Sequence, residues 1–250
     1  MKAPSSAVDA NALRDLAPHG VLRAAINLGN SVLAQRDAGT GELRGVSVDL
    51  ARALAGRLGV SLELVEFSAA GRVVEALRHG AWDVAFLAID ATRAADLRFT
   101  PPYVLIEGAY MVHEDSPMKG SAEVDRAGVR VATGAGSAYD LYLSRALRHA
   151  RIERRSTARE AFDLMVAQGL DVAAGVRQVV TRYAHEHGAL RVLEPSFMVI
   201  EQAMAVPITH QAGARLLTRF IEDMKASGFI AQALDRSGQR DAAIAPARAD

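Results

Sequence analysis

The sequence predicts an α/β protein with two similar lobes. Residues 21–89 alternate strand and helix patterns in the order β-α-β-α-β, which implies a mostly parallel sheet covered by helices. The same order recurs over residues 129–176. Two long apolar segments, "YVLIEGAYMVHED" and "FMVIEQAMAVP", fit neither half and read as paired crossover strands. Each half is then a Rossmann-like lobe, and the two extended segments form a two-strand hinge between them.

Each element has its own signal. "GVLRAAINL" reads as a short buried strand. "GVSVDLARALAGRLG" carries apolar residues at helical spacing and closes on Gly59. "SLELVEF" alternates like a strand, and "GRVVEALRHG" is a short helix stopped by Gly80. A third strand covers Val84 to Ile89. In the second half "GVRVATG" is a strand, "SAYDLYLSRALRHA" a helix and "RIERRS" a weak strand. There "AREAFDLMVAQG" is a helix and "LDVAAGV" a strand. "EALRHGAWDVAFLAID" and "FDLMVAQGLDVAAGVR" share an order: helix, glycine stop, acidic residue, then Val-Ala into a buried strand. They read as an internal pseudo-repeat.

The amphipathic stretches "AGARLLTRFIEDMKASG" and "FIAQALDRSG" are expected to pack back on the first lobe. That places the first lobe at 20–107 and 205–238 and the second, with the hinge strands, at 108–204. Residues 1–19 and 239–250 are expected to be flexible tails, the last, "QRDAAIAPARAD", being polar.

Composition narrows the function. Formal net charge is zero and the pI is about 7.1, so nothing favours nucleic acid or an anionic membrane. There is no cysteine, which excludes disulfides and thiolate metal sites. No apolar run approaches the roughly 20 residues of a membrane span. The first residues lack the apolar core of a signal peptide. The expectation is a periplasmic protein if a leader has been removed, and a cytoplasmic one if the chain is complete as written.

Ligands of open parallel sheets bind beyond the C-terminal strand ends. "NLGNS", "AIDATR", "TGAGSAY" and "GVRQ" all fall there. "TGAGSAY" opens a helix, whose free N–H groups suit an anion such as a carboxylate. Tyr139 stands where a dinucleotide fingerprint needs its last glycine, so no nucleotide cofactor is expected. Arg93 and the helix start at Gly136 and Ser137 could grip one carboxylate from opposite lobes, the guanidinium by a planar bidentate pair. Arg177 follows the last strand of the second lobe. Glu201 lies in an apolar hinge strand, either on its wet face or buried in a site. Asn27, Asn30, Ser31 and Ala88 are further candidates for the lining. His185 and His187 fall on different sides of a helix, so no metal site is expected.

These pieces together resemble the class II periplasmic solute-binding proteins, specifically the polar amino-acid type of solute-binding family 3, from about Leu22 to Gly238. "GVSVDLARALAGRLG" matches the family's "G-x-x-x-D-L" helix. "DATRAADLRFTPPY" matches its "T-x-x-R-x-x-x-x-x-F-S-x-P-Y", and "VATGAGSAYDLYL" its anion-binding helix start. The resemblance implies the periplasmic binding protein-like II fold, with Arg93 on a ligand carboxylate and Gly136 and Ser137 assisting. It also implies a monomer without cofactors that serves an ABC transporter permease. Val176 stands where the family usually has an acidic residue for the ligand ammonium. Either Glu201 replaces it, or the ligand has no ammonium, and Arg177 could hold a second carboxylate. The alternative is a lyase similar to cyclohexadienyl dehydratases on the same fold, with Glu201 as general acid. A third reading is a cytosolic ligand sensor. The binding protein is the favoured reading and the enzyme question stays open.

Overall fold

The structure, a computed structural model, describes residues 9–247. The chain opens on helix α1 (Ala10–Leu16), where the Asp9 side chain accepts from the Asn11 N–H. Strand β1 (Val21–Asn27) follows, then a hairpin of β2 (Gln35–Arg36) and β3 (Leu43–Arg44). Helix α2 (Val46–Leu58), strand β4 (Ser61–Phe67), helix α3 (Ala70–Ala76) and strands β5 (Val84–Ala88) and β6 (Leu97–Phe99) complete the first αβ half. Strand β7 (Val104–His113) crosses out of it. The second half runs through β8 (Arg130–Gly134), α4 (Ala138–Ala146), β9 (Arg151–Arg155) and α5 (Ala158–Gln168). It ends with β10 (Val172–Val176), α6 (Arg177–His187) and β11 (Leu190–Val192). Strand β12 (Met198–Pro207) returns, followed by α7 (Gln211–Ala226), α8 (Phe229–Arg236) and β13 (Ala243–Ile244).

The sheet order is β4-β1-β5-β12-β7-β10-β8-β9. Pairing within each half is parallel: β1 with β4 and β5, β8 with β9 and β10. The long strands β7 and β12 pair antiparallel in the middle and join both halves into one sheet. They are the expected crossover strands. All five residues of β5 and all five of β10 are buried, as parallel strands covered on both faces require. A Cβ at Gly175 would meet Phe162 and Val180 at 2.7 Å, so this glycine lets α5 and α6 lie close on β10.

The pseudo-repeat has a structural meaning. In the first half the Asp83 carboxylate accepts the Arg23 N–H at 2.9 Å, and the Arg23 side chain donates to the Gly80 carbonyl. In the second half the Asp171 carboxylate accepts the Arg130 N–H at 2.8 Å, and Arg130 donates to the Gly169 carbonyl. Each half thus uses one arginine to tie the glycine that stops a helix to the acidic residue that starts the next strand. Both glycines hold left-handed φ, +58° and +56°.

The expected tails are corrected by the structure. Helix α1 packs on α7: Leu16 is fully buried, and Asp15 accepts the Gly213 N–H at 2.8 Å. Ala12 and Leu16, four residues apart and so on one helix face, are the buried residues that dock it. At the other end β13 pairs with β7, Ala243 opposite Leu105 and Ile244 opposite Val104. Lys225 Nζ holds the segment by donating to the Pro246 carbonyl at 2.9 Å. The small apolar residues Ala242 and Ala245 bury there within a polar stretch. Residues 1–8 and 248–250 of the expected tails lie outside the described residues.

Candidate ligand-binding site

The loops after β1, β5, β8 and β10 meet where the two halves face each other. Arg93 is the charged centre of that crevice. It sits on a 3-10 turn, Arg93–Ala95, and is only 3% exposed. Its Nη1 donates to the Ala88 carbonyl at 2.9 Å, and its Nη2 donates to the Gly136 carbonyl of the facing lobe at 2.8 Å. Its Nε is buried with no hydrogen-bond partner. Burial pushes its pKa down to about 10, with the Asp90 charge opposing. A buried cation whose hydrogen bonds go to neutral carbonyls costs several kcal/mol, and such groups concentrate at functional sites.

The "FTPPY" corner that follows anchors this loop. The Thr100 N–H donates to the Met204 carbonyl at 2.9 Å, and Thr100 Oγ1 accepts the Met204 N–H at 3.1 Å. Tyr103 is fully buried, packs edge-on to Phe86, and its hydroxyl lies 3.2 Å from Ser47 Oγ. Burial raises that phenol well above its ordinary pKa, so it stays neutral.

On the second lobe Ser137 caps α4, its Oγ accepting the Asp140 N–H at 3.1 Å. Asp140 reaches back to accept the Gly136 N–H at 2.8 Å and also accepts from Arg154 Nε at 2.9 Å. Side chains of the helix start thus take up the N–H groups of Gly136 and Asp140. Gly136 contributes a carbonyl to Arg93 rather than an N–H to an anion, contrary to the sequence expectation.

The lobes touch through glycine. A Cβ on Gly71 would lie 2.7 Å from the Ala135 carbonyl, and one on Gly136, whose φ is +68°, would lie 2.9 Å from Gly71 Cα. Two side chains cross the same seam. Arg145 Nη2 donates to Asp90 at 2.7 Å, and Arg182 Nη1 donates to Ser31 Oγ at 3.4 Å.

Behind this seam lies a cavity of about 50 Å³. Asn27, Asn30, Ala88, Arg93 and Ser137 line it, so the structure brings these expected residues together. Its apolar walls include Phe86, Tyr139, Val176, Val179 and Ile200.

A family model, bacterial extracellular solute-binding proteins, family 3, matches residues 31–239. The chain belongs to this family. Solved structures of the same fold include a mutant of ArgBP from T. maritima, with a TM-score of 0.78 at 19% identity over 91% of this chain and 99% of that one. An amino acid ABC transporter substrate-binding protein from Streptococcus pneumoniae bound to L-arginine gives 0.76 at 20% identity, covering 94% and 99%. The ancestral amino acid-binding protein AncCDT-1, a precursor of cyclohexadienyl dehydratase, gives 0.74 at 22% identity, covering 90% and 98%. No curated protein sequence matches the chain.

In this family 3 chain three expected residues lie elsewhere. Arg177 is the first residue of α6 and turns away from the cavity. Its Nε donates to Glu107 at 2.6 Å, and its Nη atoms donate to Glu194 at 2.5 and 2.7 Å. These bonds, with Glu194 the strongest, raise its pKa, so it is fixed as a structural cation on the outer face of the hinge. Glu201 is exposed on β12 and not buried among apolar neighbours as the lyase reading expected. Ser31 lies in an adjacent groove with Arg182.

Gln202 was missed. It is 5% exposed and lines the cavity, one strand position beyond Glu201. "EQ" offers two adjacent polar residues, and only the pairing of Gln202 with Ala88 across β5 decides which one turns inward. Arg145 was missed as well, because its partner Asp90 is distant in sequence.

Proposed function

We propose that this family 3 protein closes its two lobes on a small carboxylate ligand and delivers it to the permease of an ABC transporter. The observation that carries the reading is Arg93. It is buried in the inter-lobe cavity, bridges both lobes through neutral carbonyls, and keeps Nε unpartnered. A carboxylate is the group that satisfies such a donor with charge as well as hydrogen bonds. An anion held between lobes binds the closed form better than the open one and so shifts the population towards closure.

On this reading the first lobe comprises residues 20–107 and 205–238, the second 108–204, and the protein acts as a monomer outside the cytoplasmic membrane. The transporter role is supported by the family and by relatives of the same fold described as amino acid ABC transporter substrate-binding proteins.

The test is calorimetric titration of the wild type and Arg93→Lys with a panel of small carboxylic and amino acids. A lysine keeps the charge but cannot donate to Ala88, Gly136 and a carboxylate in one plane. The expected result is binding by the wild type and a loss of about 100-fold in the variant, as for removal of a charge-assisted bidentate contact. Equal affinity in both proteins overturns the reading.

A further inference from the structure

The composition of the cavity bears on the class of acid, and this inference rests on the carboxylate reading above. Among the described residues that line the cavity there is no aspartate and no glutamate, and Arg93 is the one charged side chain. The polar side chains that remain, among them Gln202 and Ser68, are neutral, and the acceptor ends of the two asparagines are engaged. Asn27 Oδ1 accepts the Gly29 N–H at 3.0 Å, and Asn30 Oδ1 accepts the Val32 N–H at 3.3 Å. Those bonds fix the amide orientations and leave the NH₂ ends, which only donate, for a ligand.

The nearest carboxylates are committed as well. Asp90 accepts from Arg145 and from the Thr92 N–H, and Asp140 accepts from Arg154 and the Gly136 N–H. At the seam Asp90 is paired with Arg145 at 2.7 Å, and the hydrogen bonds of Arg93 go to the neutral carbonyls of Ala88 and Gly136, which leaves the Arg93 charge without a carboxylate in hydrogen-bond contact. A net anion offsets it. A zwitterion brings no net charge, and its ammonium would be desolvated beside a guanidinium with no carboxylate in the cavity lining to pair with it.

We propose that the ligand is a compact carboxylate without an α-ammonium group, of the short 2-oxo or 2-hydroxy acid class, and that this cavity rejects α-amino acids. The carboxylate takes Arg93 Nε, the α-oxygen takes the amide donors of Asn27 or Asn30, and a short alkyl tail meets Phe86, Val176 and Ile200.

The experiment uses acids matched in carbon skeleton: 2-oxobutanoate, 2-hydroxybutanoate and L-2-aminobutanoate, then 3-methyl-2-oxobutanoate against L-valine. Each is titrated into the wild-type chain, with L-arginine alongside. The amine-free acids are expected to bind at least about 100-fold tighter than their amino counterparts, the cost of an unpaired buried charge. Val176→Asp supplies an acceptor. Val176 lines the cavity and is the N-cap of α6, a position that aspartate favours. That variant is expected to gain affinity for the amino acids and lose it for the amine-free acids.

If the amino acids bind the wild type as tightly as the amine-free acids, and Arg93→Lys abolishes that binding, the inference falls and the carboxylate reading stands. If no acid of either class binds, both fall. The wild-type matched pairs decide the matter even if Val176→Asp does not fold.

Discussion

Arg145 on α4 of the second lobe donates to the Asp90 carboxylate of the first lobe at 2.7 Å, across a seam where the Asp90 side chain is almost fully buried and that of Arg145 is half exposed. The pair forms only when the lobes meet, so it adds to the free energy of closure and not to the fold of either lobe. Arg145→Ala is therefore expected to weaken ligand binding about fivefold, roughly 1 kcal/mol for a pair with one exposed partner, with little change in the melting temperature. Titration and melting of the same samples check it; an unchanged affinity would show that the pair does not contribute to closure.

The same pair sets the pH dependence. Burial alone would raise the Asp90 pKa, but the hydrogen bonds from Arg145 and the Thr92 N–H, with the Arg145 charge, hold it below its ordinary 3.8. A depressed carboxylate pKa gives a contribution that is fully present above the ordinary value and is lost as pH falls through the bound one. The affinity gap between wild type and Arg145→Ala is expected to be constant from about pH 5 to 8 and to shrink only below about pH 4. A gap that changes near neutrality would point to another titrating group.

Arg93 binds at the expense of stability. Its guanidinium is desolvated and its bonded acceptors are neutral, so an apolar side chain of similar length relieves a cost. Arg93→Met is expected to abolish binding while raising the ligand-free melting temperature by about 2–4 °C, corresponding to roughly 1 kcal/mol at this size. A fall of several degrees would mean that the two carbonyl contacts are worth more than the desolvation.

Gly71 separates closure from folding in the opposite way. It lies in the first turn of α3, where alanine is a better helix former than glycine. A methyl group there would lie 2.7 Å from the Ala135 carbonyl of the other lobe. Gly71→Ala is expected to melt no lower than the wild type and to bind ligand at least tenfold more weakly. Small-angle scattering with and without ligand is expected to show a reduced compaction.

The two arginine–glycine–aspartate ties make a comparative prediction. Asp83 is buried and accepts three hydrogen bonds from Arg23, whereas Asp171 has a side chain 42% exposed. Asp83→Ala is expected to cost about 3 kcal/mol in urea unfolding, and Asp171→Ala about 1 kcal/mol or less. Equal losses would mean that burial does not govern the difference.

Much of the architecture could be read from residue order because it depends on short-range signals: apolar period, glycine stops and the Val-Ala entry into buried strands. Arg93 was readable for a related reason, since "R" six residues before "FTPPY" fixes a turn whose other end is locked to β12. What was not readable depends on phase and on distance. Glu201 and Gln202 are neighbours, and strand pairing alone selects the inward one. Arg177 follows a strand end, as a binding residue would, but α6 starts on it and points it at Glu107 and Glu194. Arg145 belongs to the site only through Asp90, far from it in sequence, and no local pattern announces such a pair. The ends misled because a few small apolar residues in polar surroundings suffice to dock once a surface is offered.

The β13 strand makes the crossover region three strands wide at Val104 and Leu105, with Lys225 clipping the chain just beyond. An optical sensor built by fusing a fluorescent protein to this end would load the strand that stiffens the bending region, and would report its own tension along with the ligand.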